Sequence, residues 1–342
     1  NKLVNTSIAI FFFFKKTLKE KDYKKIYLFN SRMNEKRCVL DYCIGQDINV
    51  RNIEKLNTER FYDFGNKLSQ DRNFLTKRIL NFNKKNKSYD YKKEKKFYLE
   101  KFKSTADPLN PDVYSKIQTK NTLPKFWDKN KKNIIFFTAS DDEYQSFGKE
   151  FNPIFLGNQE QIIKKTCEII KNNNQYFLWI RIHPRLSGVK WLDLDFYKSI
   201  DKKYKNVQVI YANDRVSTYS LIVNANKIIC YWSMLIAEAA YWRQRKTISL
   251  TKNDMEGIGI GVTPKNIKDY RKKILEEDVF DKGLKYRSLM WANFFLNAGS
   301  KIKYFSGNIH IGYKFNQRKI SLNIKSSLLY YFGKMFEKFL NK

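Results

Sequence analysis

The chain has 342 residues, enough for a large core and for two domains of ordinary size. Apolar residues make up 42% and aromatics 16%, which excludes a disordered chain. The 66 basic and 34 acidic residues leave a net charge of +32, a balance that favours anionic partners. The basic residues are mostly Lys, spread along a chain also rich in Asn, Ile, Phe and Tyr. These residues share AT-rich codons, so codon usage is the first explanation of the charge. Attraction to a membrane surface comes second. Nucleic acid comes third, because dedicated readers cluster Arg and Lys on one element. No specific nucleic-acid partner is expected.

In chain order, the run Ile8 to Phe14 is apolar but far short of the roughly 20 residues a membrane span needs. It lacks a cleavage site before the lysines, so it reads as a buried helix or strand rather than a signal peptide. Lys25–Asn30 reads as a strand, Asn34–Ile44 as a helix and Asn49–Ile53 as a second strand, with Glu54 at its end. Asp63 falls in the following FYDFG stretch. Ser69–Phe82 reads as a helix, and 83–103 as a solvated helix or a loose excursion. Pro108, Pro111 and Pro124 mark an irregular connection, with a domain boundary near residue 129.

Beyond it, apolar strands alternate with helices. The strands are Ile134–Thr138, Tyr176–Ile182, Val207–Ile210, Lys227–Tyr231 and Thr247–Leu250. The helices are Gln159–Lys171, Asp193–Tyr204, Thr218–Asn224 and Leu235–Trp242. Continuous apolar strands between helices predict an α/β fold with a parallel sheet covered on both faces. The tail from Ser326 has helical apolar spacing with Lys334, Lys338 and Lys342 near the other face. It reads as a docking helix first, and as a membrane-surface helix second. The three segments are thus 1–128, 129–285 and 286–342, the last consisting of C-terminal helices.

Ligands of such sheets bind outside the carboxyl ends of the strands, so residues just past each strand carry the chemistry. Arg181, His183, Pro184 and Arg185 close one strand. An imidazole between two guanidinium groups, on a turn stiffened by proline, suits a phosphate. Tyr231, Trp232 and Ser233 close another, with Ser233 as the cap of the following helix and its N-terminus as an anion site. Glu238 lies inside that apolar helix and needs a polar partner, either ribose hydroxyls or an internal cation. Ser140 follows the first strand and forms a capping box with Glu143; the acids at 141–143 read as a helix start rather than a metal site. Gly257 opens a GIGIG run that fits neither a dinucleotide nor a Walker loop. It reads as a close backbone approach to a ligand or as a mobile loop. Two histidines and four cysteines without a CxxC pair predict no metal centre. Cys167 and Cys230 read as buried thiols of a reducing, cytoplasmic compartment.

The stretches FFTASDDEY (136–144), WIRIHPR (179–185), VSTYSLIVNANKIICYWSMLIAEAAYW (216–242) and GIGIG (257–261) resemble a known family. They are similar to the C-terminal lobe of capsule-polysaccharide-type glycosyltransferases of the GT-B fold, related to bacterial Kdo and sialic acid transferases. That family carries a His-Pro motif and a Ser/Thr motif of the form ST-x-x-x-E-A-a-y-x-G-x-P. Ser233, Glu238, Ala239, Ala240 and Tyr241 match the second motif. Met234 departs from the usual hydroxyl residue, and Arg243 and Lys246 from the usual Gly and Pro. IYLFNSRMNEKR (26–37) resembles the family's FNGR strand end, with Ser31 for Gly.

The resemblance implies two Rossmann-like domains facing a cleft, the N-terminal one lacking its opening strands. It implies that His183 and Ser233 hold a donor phosphate and Glu238 its ribose or base, with no metal and no cofactor beyond a nucleotide-sugar donor. The acceptor would be a glycan or lipid-linked glycan, served by a carboxylate base from the N-terminal lobe, Glu54 or Asp63. The enzyme would work in the cytoplasm, or at the inner face of the membrane through its basic tail. The alternatives are a transferase of the glycerol-phosphate kind and a catalytically decayed basic protein that binds glycan or nucleic acid.

Overall fold

The computed structural model describes residues 2–20, 23–31, 34–57, 60–69, 71–84, 89–103, 118–140, 157–190, 192–301, 305–308, 312–315 and 318–320. The acids at 141–143, His310 and the tail from 326 lie outside the described residues.

The N-terminal part begins with α1 (Lys2–Glu20), β1 (Ile26–Phe29), α2 (Asn34–Gly45), β2 (Val50–Asn57) and β3 (Arg60–Asp63). β1 and β2 pair in parallel around α2, a single β-α-β unit. β3 then turns back antiparallel on β2. Leu28, Val39, Leu40, Cys43 and Val50 form a small core, against which Ile10, Phe14 and Leu18 of α1 pack. The apolar run at 8–14 is therefore a helix with one packed face. Its Ile8, Phe12 and Phe13 stay exposed.

α3 (Arg72–Lys84) and α4 (Lys92–Phe102) follow. The charge of α4 suggested a solvated helix. Instead Phe97 and Tyr98 are buried, and Tyr98 stacks on Tyr241 with centroids 4.2 Å apart. Phe97, Tyr98 and Phe102 together dock a helix that is otherwise mostly lysine and glutamate.

The second part holds β4 (Lys132–Phe137), α5 (Gln159–Ile170), β5 (Tyr176–Arg181), α6 (Leu194–Lys203), β6 (Val207–Ile210), α7 (Thr218–Asn224), β7 (Lys227–Cys230), α8 (Leu235–Arg243), β8 (Thr247–Ser249), α9 (Asp254–Gly257), β9 (Gly261–Val262) and α10 (Ile267–Leu275). All six strands are parallel, in the order β6-β5-β4-β7-β8-β9. The chain starts in the middle, winds to one side, then returns to the other. This is the doubly wound order, and it places the topological switch between β4 and β7. The pleat divides each strand between two cores. Ile135, Phe137, Trp179, Ile228 and Cys230 face α7 and α8; Ile134, Phe136, Leu178, Ile180 and Ile229 face α5, α6 and α10. Cys167 and Cys230 are buried free thiols, and burial pushes the Cys167 thiol up to about 12.

α11 (Gly283–Asn297) packs across α3, α4 and α8, then delivers β10 (Ser300–Lys301) to β3. β11 (Phe305–Asn308), β12 (Gly312–Phe315) and β13 (Arg318–Ile320) form a separate antiparallel sheet. The segment after 286 was expected to be helical. Its described residues hold the rest of α11 and then strands, because α11 must hand the chain to the open edge of β3; the expected tail helix lies outside them. The hand-over is tight. Asn57 Nδ2 donates to the Phe295 carbonyl at 2.7 Å and Arg60 Nη1 to the Gly299 carbonyl at 2.9 Å. No helix among the described residues is long and apolar enough to cross a membrane.

Gly299 makes the junction possible. Its φ is +74°, and a Cβ there would overlap the Phe61 carbonyl oxygen. Gly299→Ala combines a left-handed backbone with a clash against main chain. It should cost at least ~2 kcal/mol and lower the thermal midpoint, measured by circular dichroism.

Candidate functional site

The switch point puts the carboxyl ends of β4 and β7 side by side, with β5 next to β4. Three of the segments singled out in the sequence therefore share one edge: Thr138–Ser140 after β4, His183–Arg185 after β5 and Tyr231–Ser233 after β7.

The turn after β4 is fixed before any ligand arrives. The Gln159 side chain accepts the Ala139 N–H at 2.7 Å and returns a bond to its carbonyl at 3.2 Å. Thr138 Oγ1 accepts the His183 N–H at 3.0 Å, tying the first turn to the second. Ser140 is buried beside it. Thr138 was missed in the sequence; a lone hydroxyl ending an apolar strand was the available signal.

His183 caps a short 3-10 turn that begins at Pro184. Its Nδ1 accepts the Arg185 N–H at 3.2 Å. With Nδ1 accepting, Nε2 is the ring position able to donate. The ring is half-buried and Arg185 is exposed.

Arg181 does not belong to an open phosphate cradle. It is buried, and its guanidinium donates to the carbonyls of Tyr211 at 2.5 Å and Asp214 at 3.2 Å. Burial lowers its pKa to about 10, offset in part by Asp214. It pins the loop after β6, because a strand-end cation in a two-sided sheet finds backbone oxygens before it finds solvent.

Ser233 sits at the start of α8, exposed, with Oγ accepting the Leu235 N–H at 3.3 Å. The capping position falls one residue later, on Met234, which offers no side-chain bond. Trp232 Nε1 donates to Asp254 Oδ1 at 2.9 Å, and Trp291 Nε1 donates to Oδ2 at 3.0 Å. Burial raises the Asp254 pKa, against the pull of the two indoles. Tyr231 is buried in the core on the α5 side. Where Gly is usual, Arg243 instead bonds the carbonyls of Ala225 and Asn226, and the chain turns at Gln244 with φ +51°.

Glu238 finds the internal cation rather than an open edge. It pairs with Lys101 of α4 at 3.3 Å, both side chains being nearly buried. Gly257 lies against α3, where a Cβ would overlap the Thr76 hydroxyl. It permits a close approach between helices, not between backbone and ligand.

Glu54 does not follow a strand end. β2 runs on to Asn57, which places Glu54 inside the strand opposite Tyr62. Its Oε1 accepts the Lys55 N–H at 2.9 Å. Asp63 ends β3 and pairs with Arg51 at 2.7 Å. Partial burial raises its carboxyl, but the Arg51 bond, the Gly65 N–H and the charges of Arg51 and Lys25 outweigh that and lower it below 3.8. Ser31 is buried with its hydroxyl on Asn52 Oδ1 at 2.8 Å, and Asn52 Nδ2 reaches the Lys67 carbonyl at 2.9 Å. Asn52 organises this strand end and gave no signal in the sequence.

Among the described residues no group of three His, Cys, Asp or Glu side chains could hold a metal ion. What the edge offers is two ordered turns, an imidazole and a helix start, groups that suit an anion.

Fold and edge together define an α/β protein with a doubly wound parallel sheet whose switch-point edge gathers these turns. No family model matches the chain, and no curated protein matches it. Among solved structures it is similar to the UDP-GlcNAc 2-epimerase of Methanocaldococcus jannaschii in complex with UDP-GlcNAc and UDP. The identity is 12%, over 85% of this chain and 81% of that one, with a TM-score of 0.32. It is similar to the S. aureus MnaA–UDP co-structure at 13% identity, over 88% and 78%, with a TM-score of 0.35. It is also similar to the wall teichoic acid polymerase TagF at 14% identity, with a TM-score of 0.30. That match covers 68% of this chain and 48% of the polymerase, so the chain spans about half the polymerase's length. One fold hosts many chemistries, so function is read from the strand ends.

Two measurements check these assignments. Glu238→Gln breaks an ion pair between two nearly buried side chains, which should cost about 3 kcal/mol in denaturant unfolding. A ribose-binding role alone would leave stability unchanged. The Arg51–Asp63 pair acts only where Asp63 is ionised. Its contribution is present above pH 3.8 and lost as pH falls through the lower folded value, so acid titration of the thermal midpoint should be shallower in Asp63→Asn.

Proposed function

We propose that the chain is a GT-B-type transferase that takes a sugar from a nucleotide-sugar donor and passes it to a surface-polysaccharide or lipid-linked acceptor. The observation that carries this reading is that His183, Thr138, Ser140 and the start of α8 just after Ser233 lie along one switch-point edge. A nucleoside diphosphate is the ligand such an edge fits, its phosphates against the helix start and its base along the crevice. Nε2–H of His183 would donate to a phosphate oxygen. As the sugar–phosphate bond breaks, charge grows on that oxygen, and donors fixed in advance lower the barrier. In this reading no metal is required, because the imidazole and the helix start meet the leaving charge.

The acceptor hydroxyl still needs a base. Glu54 is the better candidate of the two carboxylates. Asp63 is held by Arg51 and lowered, which weakens it as a proton acceptor. Arg181 and Glu238 are positioning residues in this scheme, one for the loop after β6 and one for α8 against α4.

The test is calorimetry with UDP, CDP, GDP and CMP. Wild type should bind one of them saturably, and His183→Ala should weaken that binding at least about tenfold, with an unchanged thermal midpoint. Failure of the wild type to bind any of the four overturns the proposal.

A further inference from the structure

A cavity of ≈ 410 Å³ opens between α2, the 66–73 segment and Lys252, which follows β8. Its charged lining is four cations, Arg37, Lys67, Arg72 and Lys252, against two carboxylates, Asp41 and Asp71. Both carboxylates are already engaged. Asp41 receives Arg37 Nε at 2.9 Å on each oxygen, and Asp71 Oδ1 accepts the Phe74 N–H at 2.8 Å at the start of α3. Arg72 is tied to Glu256 at 3.1 Å, which holds its guanidinium at the rim. Lys67 and Lys252 differ from these. Among the described residues no ion pair or side-chain hydrogen bond engages either ammonium. The cavity at the amino edge of the large sheet offers a contrast: Lys132, Lys227 and Arg245 there face Glu276, Glu277 and Asp278, so its charge is balanced internally.

The position of the first cavity matters as much as its charge. Leu40 and Leu68 line it and belong to the small N-terminal core against which Trp232 packs. Trp232 directly precedes Ser233. The cavity and the residue before Ser233 are thus attached to the same small core, on the side of the N-terminal sheet. A concave, partly apolar wall also focuses the field of the two unengaged ammonium groups.

We infer that this cavity is the acceptor subsite and that it takes an anionic group, a phosphate or a carboxylate, carried by the acceptor. The inference rests on the transferase reading above. With the nucleotide in the crevice of β4 and β7, the second substrate approaches from the N-terminal side, and there this concavity stands open. A neutral sugar would gain no charge pairing from Lys67 and Lys252, both exposed to solvent. A phosphodiester or uronic-acid unit would neutralise them between two guanidinium groups already held in place.

The experiment is calorimetric titration of the full chain with glycerol 3-phosphate, glucuronate and, as neutral controls, glycerol and glucose. The variants are Lys67→Ala/Lys252→Ala and, for equal loss of charge elsewhere, Lys202→Ala/Lys205→Ala. Wild type should bind at least one anion saturably and neither neutral compound. Which anion binds separates a phosphate acceptor from a uronic one. The cavity variant should bind it at least tenfold more weakly, and the control variant within twofold of wild type. Equal loss in both variants, or no saturable anion binding by wild type, overturns the site. A nucleotide arm separates the two proposals. Nucleoside diphosphate affinity should stay within twofold in the cavity variant. If it falls with that of the anion, the cavity belongs to the donor and the acceptor assignment is overturned. If wild type binds the anion through these lysines but no nucleotide, the transferase reading fails and the anion site stands.

Discussion

The carboxylate of Asp254 is the point on which the molecule is assembled. It is buried, and each oxygen receives one indole N–H, from Trp232 and from Trp291. A buried carboxylate without such partners would be costly, so both rings are held where they can donate. The consequences run in three directions. Trp232 is fixed at the end of β7, packed against the N-terminal core, one residue before Ser233. Trp291 fixes α11, the helix that crosses to the N-terminal sheet. Asp254 itself begins α9, whose Gly257 lies against α3. The strand end that carries the proposed function is thus set by a polar clamp rather than by apolar packing alone.

A second buried polar contact closes the opposite side of α8. Lys101 meets Glu238 while Tyr98 stacks on Tyr241 and Phe102 packs against Trp242 and Tyr219, so α4 is joined to α7 and α8 by an ion pair and ring contacts. Neither makes the site, but each restricts how α8 sits, and α8 begins two residues after Ser233. Charged residues near the edge are largely absorbed in this way: Arg181 by backbone carbonyls, Arg243 by the loop before β7 and by Asp278, Asp63 by Arg51.

The large sheet was legible because its strands are apolar on both faces and punctuated by helices, a pattern that local periodicity captures. The two histidine-turn and serine-cap segments were legible for the same reason, since both lie where such strands end. What could not be read is the partner of each polar side chain. Glu238 announced that it needed a partner without naming Lys101, which lies in a lysine-rich stretch that looked solvated. Arg181 looked like a phosphate ligand because its carbonyl acceptors come from a loop thirty residues on. Glu54 was misplaced by three residues of strand, a boundary error that changes which face and which edge a side chain belongs to. Gly257 looked like a loop glycine because its neighbour Thr76 sits in a different element altogether.

The pairing of β10 with β3 has a consequence for how the chain is made. The N-terminal sheet acquires its last strand from residues 300–301, after every strand of the large domain has left the ribosome. Synthesis runs from the N-terminus, so β3 waits with an unpaired edge until α11 has docked. The first sheet begun is therefore among the last completed. Pairings this distant in sequence are slow to form, and an open strand edge in the interim invites association with another chain. Truncation before residue 299 would make that transient state permanent.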